Sequence, residues 1–159
     1  MGYDTAVIEA APEQFFESSC GIGNPFSLGM IKPGSALLDF GCGAGFDLFV
    51  AGRLVGEKGR VFGIDLTEEM VQKARENLTL AGVVNFEVRK VDSDIIPYDG
   101  ISFDVVISNG VINLSPDKGI AFKEIYRVLK PKGKLCFADV VLEGELPADL
   151  AGSAEAWSQ

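Results

Sequence analysis

Two hydrophobic periods take turns along this chain. Leu37-Leu38 before Asp39, and Val61-Phe62-Gly63-Ile64 before Asp65, are short apolar runs that each end in a carboxylate. Such runs, bounded by turn residues, predict buried strands. Phe86-Glu87-Val88-Arg89 alternates as a strand near a sheet edge does, with Asp92-Ser93-Asp94 as its acidic tip. Phe103 to Ile107 is almost unbroken and predicts a central strand covered on both faces. Leu135 to Val141, carrying Asp139, predicts a fifth. Between these runs the apolar spacing lengthens to that of a helix. Phe46, Phe49, Val50 and Leu54 share one face, with Gly56 as the C-cap. Thr67 is expected to cap a helix with Glu68 and Glu69 in its first turn, the stripe Val71, Ala74, Leu78 and Ala81, and Gly82 closing it. Ser115-Pro116-Asp117 starts another, with Pro116 at its first position and Ile120, Ala121, Ile125, Val128 and Leu129 inward. Lys123, Arg127 and Lys130 read as complementing that helix's C-terminal end.

Strand–helix alternation four times over, without repeats, predicts an α/β fold. The expected architecture is a Rossmann-like, doubly wound, mostly parallel sheet of about five strands with helices on both faces. Within a single domain, residues 1–34 form a helical and loop cap broken near Pro12, 35–141 the core, and 142–159 a tail with a short helix from Pro147 to Trp157. Pro33-Gly34, Glu57-Lys58-Gly59 and Pro131-Lys132-Gly133 read as turns into strands.

The chemistry concentrates after the first strand. From Asp39 the chain turns through Gly41, Gly43 and Gly45, three glycines at every second residue, before the helix begins at Phe46. Without Cβ atoms such a turn lets a ligand approach the backbone, and the following helix is expected to aim free N–H groups at the same place. Asp65, twenty residues past Gly45, tips the next strand, where a carboxylate accepts hydrogen bonds from ribose hydroxyls. The reading is a nucleoside-cofactor site. A dinucleotide fingerprint would require glycine at position 46, where Phe46 stands, so a nicotinamide-dependent oxidoreductase is disfavoured.

The formal charge of −9 argues against a nucleic-acid partner and suits a small cationic ligand. The chain has no histidine, which excludes imidazole bases and His-ligated metal, and its three cysteines lack metal or disulfide spacing. Neither a signal peptide nor a membrane-length apolar run is present in this sequence, and a reducing cytoplasm is expected.

Asp39-x-Gly41-x-Gly43-x-Gly45 together with Asp65 resembles the first motif of the class I S-adenosylmethionine-dependent methyltransferases. Val55 to Val61, Ser108 to Lys118 and Tyr126 to Pro131 look like the arsenite methyltransferase branch of that family. The resemblance runs from about residue 20 to the C-terminus and implies S-adenosylmethionine as cofactor. It implies that Gly41, Cys42, Gly43 and Gly45 border the cofactor and that Asp39 orients its ammonium. Asp65 would take the ribose, Leu66 and Met70 would line the adenine, and Asp92 and Ser93 would face the exocyclic amine. Asn109 would lie beside the methionine end, and Gly110 and Asn113 in the substrate loop; no catalytic residue is assigned.

That branch holds trivalent arsenic with cysteines. Cys20 keeps one such position, but Leu48 and Gly110 stand at two others and the fourth falls beyond Gln159. Cys42 and Cys136 read as packing residues. The expectation is methyl transfer to an unidentified small molecule, not arsenite; a cofactor-binding module without chemistry, or a truncated domain, is the alternative. The family's fold continues past its fifth strand. That strand's open edge is expected to be covered by the tail or by a second copy in a homodimer, unless the chain is part of a longer parent.

Overall fold

The computed structural model describes residues 2–18, 21–29 and 31–141. Cys20 and the whole stretch 142–159, including the expected final helix, lie outside the described residues. Five parallel strands form one sheet: β1 (Ala36–Phe40), β2 (Arg60–Asp65), β3 (Phe86–Lys90), β4 (Phe103–Asn109) and β5 (Leu129–Ala138), in the order β3-β2-β1-β4-β5. The order turns back at β1, which pairs with both β2 and β4, and ligands of such sheets sit beyond the carboxyl ends at this switch point.

Residues of β1 alternate between two cores because successive side chains of a strand point to opposite faces. Leu37 joins the side covered by α2 (Phe46–Val55) and α3 (Glu68–Leu80), whereas Leu38 and Phe40 join the side covered by α4 (Lys118–Val128). Asp39 therefore faces the α2 side, at the strand end, and is 2% exposed. Gly63 of β2 makes room for this packing: a Cβ there would stand 2.6 Å from Leu48 Cδ1 and 2.8 Å from Cys42 Sγ. The N-terminal segment, with α1 (Thr5–Glu9) and a 3-10 helix (Glu13–Ser18), adds Tyr3 and Phe15 to the same core, where Phe15 packs against Phe46 and Phe49.

Several expectations change. Helices separate β1 from β2, β2 from β3 and β4 from β5, but residues 91–102 between β3 and β4 contain none. Leu54 and Ile120 are exposed at 41% and 43%, since the inward faces of α2 and α4 centre elsewhere. Asp117 caps α4 by accepting from the Ile120 N–H, so Pro116 precedes the helix. Thr67 makes no side-chain capping bond; its N–H donates to Asp65 instead. Leu129 leaves α4 and pairs with Phe103, so Pro131-Lys132-Gly133 forms an irregularity inside β5. Arg127 and Lys130 serve particular partners: Arg127 binds Glu124 and the Ile96 and Tyr98 carbonyls, and Lys130 binds Asp104. No described helix is long and apolar enough to cross a membrane.

Candidate functional site

At the carboxyl ends of β1, β2 and β4 the surface opens into a cleft of two lobes, 220 and 210 Å3, which share Gly41, Asp65, Val111 and Leu114. Together they reach the size of small-molecule sites, ~300–1,000 Å3. The first lobe is walled by Phe15, Phe46 and Met70 and floored by Asp39, Asp47, Cys42 and Gly43. The second runs between Ile64, Leu66, Thr67 and Val91 on one side and Ser93, Asp94, Ser115 and Pro116 on the other. Neither lobe is lined by a lysine or arginine among the described residues.

Three carboxylates thus share a concave site without a resident cation. Burial, and after it the charges of Asp47 and Asp65, hold the Asp39 carboxyl well above the usual range. Among the described residues no hydrogen bond reaches the Asp39 carboxyl group. Burial also raises Asp47, but hydrogen bonds from Tyr3 and Asn109 favour its charged form and work the other way. The Tyr3 hydroxyl lies 2.6 Å from Asp47 Oδ1, with the Gly23 carbonyl 3.0 Å away as a second acceptor. Burial and the Asp47 charge keep that phenol neutral by raising its pKa far above the ordinary value.

The glycine turn has a different chemistry from the one its spacing suggests. Gly41 N–H and Cys42 N–H donate to the Ile64 carbonyl, Gly43 N–H to Asp65 Oδ2, and Gly45 N–H to the Cys42 carbonyl. These donors are satisfied within the chain and do not form a cradle for an anion. The three glycines also differ in what surrounds them. A Cβ on Gly43 would meet nothing within 4 Å, so that position is open. One on Gly41 would stand 2.4 Å from Val111, whose side chain lies across the turn where the two lobes meet. Gly45 lines neither lobe: with φ of 90° it starts α2 and packs on Ala74, whose Cβ would stand 3.2 Å from any Cβ placed on this glycine. It supplies the close helix approach that a glycine at position 46 would give a dinucleotide fold.

The remaining candidates divide. Asp65 stands between the lobes, its Oδ1 accepting from Thr67 N–H and its Oδ2 from Gly43 N–H, both at 2.9 Å. Leu66 and Ser93 border the second lobe, and Met70 and Gly110 the first. Asp92 lines neither lobe; β3 ends at Lys90, and Asp92 pairs with that lysine in solvent. Asp94 lines the second lobe and accepts from the Ser115 hydroxyl at 2.7 Å. Asn109 borders the first lobe, yet its amide is fully engaged. Oδ1 accepts from the Ile22 and Gly23 N–H groups, and Nδ2 donates towards Tyr3, Gly23 and Asp47. Asn113 lines neither lobe; its N–H donates to Asp139, and its Oδ1 is buried without a partner among the described residues.

Sequence reasoning missed Asp47, Tyr3, Phe15 and Asp94. Asp47 did leave a signal, as the one charge in the apolar run from Phe46 to Ala51. Tyr3 left none, because its partner is 44 residues away in sequence.

A family model described as a methyltransferase domain matches residues 31–159. An arsenite methyltransferase of Halobacterium salinarum is 40% identical over 150 residues, covering 94% of this chain and 38% of that protein. The crystal structure of an arsenic(III) S-adenosylmethionine methyltransferase from Chlamydomonas reinhardtii superposes with a TM-score of 0.83 at 36% identity, covering 94% of this chain and 53% of that one. A ubiquinone/menaquinone biosynthesis C-methyltransferase of Escherichia coli is 37% identical over 119 residues, covering 74% of this chain and 45% of that protein. The chain thus spans about half, or less, of the length of these three relatives.

Proposed function

This chain belongs to the class I S-adenosylmethionine-dependent methyltransferases, in their arsenite methyltransferase branch, and on that premise we propose that it binds S-adenosylmethionine in the two-lobed cleft and transfers the methyl group to a small molecule. One observation carries the reading: Asp39, Asp47 and Asp65 converge on a cleft that contains no cationic side chain among the described residues. Such a site favours a cationic ligand, and the satisfied N–H groups of the glycine turn leave little for a pyrophosphate. The residues present fit the cofactor.

Bound there, S-adenosylmethionine supplies an electrophilic methyl group on a sulfonium. Asp39 and Asp47 would hold the ammonium of its amino-acid end in the first lobe. Asp65 accepts from the ribose at the junction, since each of its oxygens has given only one acceptor site to the backbone. Leu66 and Val91 cover the base in the second lobe, with Ser93 and Asp94 at its polar edge. Phe15 and Phe46 exclude water from the first lobe, where positioning supplies most of the rate. No general base is required of the chain when the acceptor is already a lone-pair nucleophile.

Arsenite is not the proposed acceptor. By the resemblance to that branch, Gly110 and Leu48 stand at two positions where cysteine is expected. The described thiols, Cys42 and Cys136, are buried, and burial raises both above the ordinary thiol range, which keeps thiolate scarce.

Thermal stability followed with S-adenosylhomocysteine and with NAD, titrated separately, tests the cofactor, because a ligand specific to the folded state raises the melting temperature. Stabilisation by NAD alone would overturn the proposal. Asp65→Ala is expected to weaken S-adenosylhomocysteine at least tenfold, about 1.4 kcal/mol; an unchanged affinity would place the ribose elsewhere. A tritiated-methyl screen of thiols, amines and metalloids then tests turnover. Labelled methylarsenicals would overturn the proposal that arsenite is not the acceptor, and no product at all would make the chain a binding module.

A further inference from the structure

A second concavity opens at the opposite end of the sheet from the cleft. It lies beside the start of β1 and the irregular stretch of β5, has a volume of 440 Å3, and is lined by Lys32, Lys130, Lys132 and Lys134 together with Ser35 and Asp104. Four of the chain's 14 basic residues therefore gather at one hollow of a protein whose net charge is −9.

The one carboxylate in that lining is already engaged. Asp104 Oδ2 accepts from Lys130 Nζ at 2.8 Å and from the Ala36 N–H at 2.9 Å. Lys32, Lys132 and Lys134 have no carboxylate within ion-pair distance among the described residues. Four lysines against one carboxylate leave an excess of three positive charges at the hollow. Ser35 also lines the hollow, and its hydroxyl makes no hydrogen bond among the described residues, so it is available to a ligand. The backbone beneath is closely packed: a Cβ on Gly133 would stand 2.8 Å from the Lys130 carbonyl and 3.2 Å from that of Asp104.

We propose that this hollow binds a small polyphosphate-bearing molecule, whose oxygens meet the ammonium groups of Lys32, Lys132 and Lys134 and the hydroxyl of Ser35. Lysine ammonium groups act as compact point charges for phosphate, and three of them offset most of the charge of a pyrophosphate or triphosphate. A long polyanion would also meet the acidic remainder of the surface. A small one responds only to charge within about a Debye length, ~8–10 Å. The hollow is separate from the methyl-donor cleft, because Ser35 precedes β1 while Asp39 lies near its far end.

The experiment titrates pyrophosphate and triphosphate into the 159-residue chain by calorimetry and thermal shift, at ionic strength held constant with sodium chloride. Saturable stabilisation is expected. Lys132→Ala combined with Lys134→Ala should weaken it at least tenfold, while the shift given by S-adenosylhomocysteine stays that of the parent chain and certifies the fold. Ser35→Ala should weaken it by a smaller factor. Equal stabilisation by chloride, or pyrophosphate affinity retained in the double variant, would overturn the proposal. So would a single-stranded oligonucleotide that binds through these lysines more tightly than triphosphate does.

Discussion

Asp39, the penultimate residue of β1, is almost wholly buried and senses the charges of Asp47 and Asp65. Burial and those two charges raise it above the ~3.9 of an unfolded aspartate. The folded chain therefore holds that proton more tightly than the unfolded chain does. Its contribution to stability is complete below pH ~3.9 and is lost as pH rises through the folded value. Asp39→Asn removes this burden, so the unliganded variant should melt higher than the parent at pH 7, with the difference vanishing near pH 4. The same variant should bind S-adenosylhomocysteine more weakly, a trade of function for stability. Calorimetric melting of both proteins from pH 4 to 8 checks the sign; a parent that melts higher at pH 7 would mean Asp39 is already compensated. Gly45 is a second case. Its φ of 90° and the 3.2 Å approach to Ala74 leave no place for a side chain. Gly45→Ala should cost about 1–3 kcal/mol in a denaturant titration.

Among the elements, the N-terminal segment changes most on going from sequence to structure. As residues it reads as an amphipathic cap. In the fold, two of its parts meet on the side chain of Asn109 at the end of β4: the Ile22–Gly23 backbone and the Tyr3 hydroxyl. Asn109 thereby ties the cap to the first lobe. Asn109→Ala should free the Ile22 and Gly23 amides, and hydrogen exchange should show them losing protection while β1 and β4 keep theirs. If they exchange as in the parent, the cap is held by Phe15 packing instead. β5 also reads differently once folded, because its lysine-bearing irregularity is a break in pairing with β4 and not a turn before the strand.

For the whole molecule, the sheet separates opposite charges. Carboxylates gather beyond the carboxyl ends of its strands, and lysines gather at the other end. The two sites share no lining residue. Their ligands should therefore stabilise the chain additively within about 0.3–0.5 kcal/mol, read from melting with each ligand and with both. A larger departure would reveal coupling along β1 and β4. β5 has no neighbour on its outer side among the described residues, and Phe137 and Val141 beside that edge are exposed.

The strands, their parallel pairing and the α3 stripe could be read from the chain itself. Hydrophobic period is a local property, and short connections leave few topologies for strand–helix alternation. Asp65 and the open Gly43 were legible for the same reason, since motif and strand end coincide within a few residues. Only the tertiary structure decided that Asp47 joins Asp39, that Gly45 packs on a helix, that Asp94 and not Asp92 lines the cleft, and that lysines from separate segments share one hollow. Those facts depend on burial and on contacts between residues far apart in sequence, as with Tyr3 and Asp47, and no local pattern encodes such a distance.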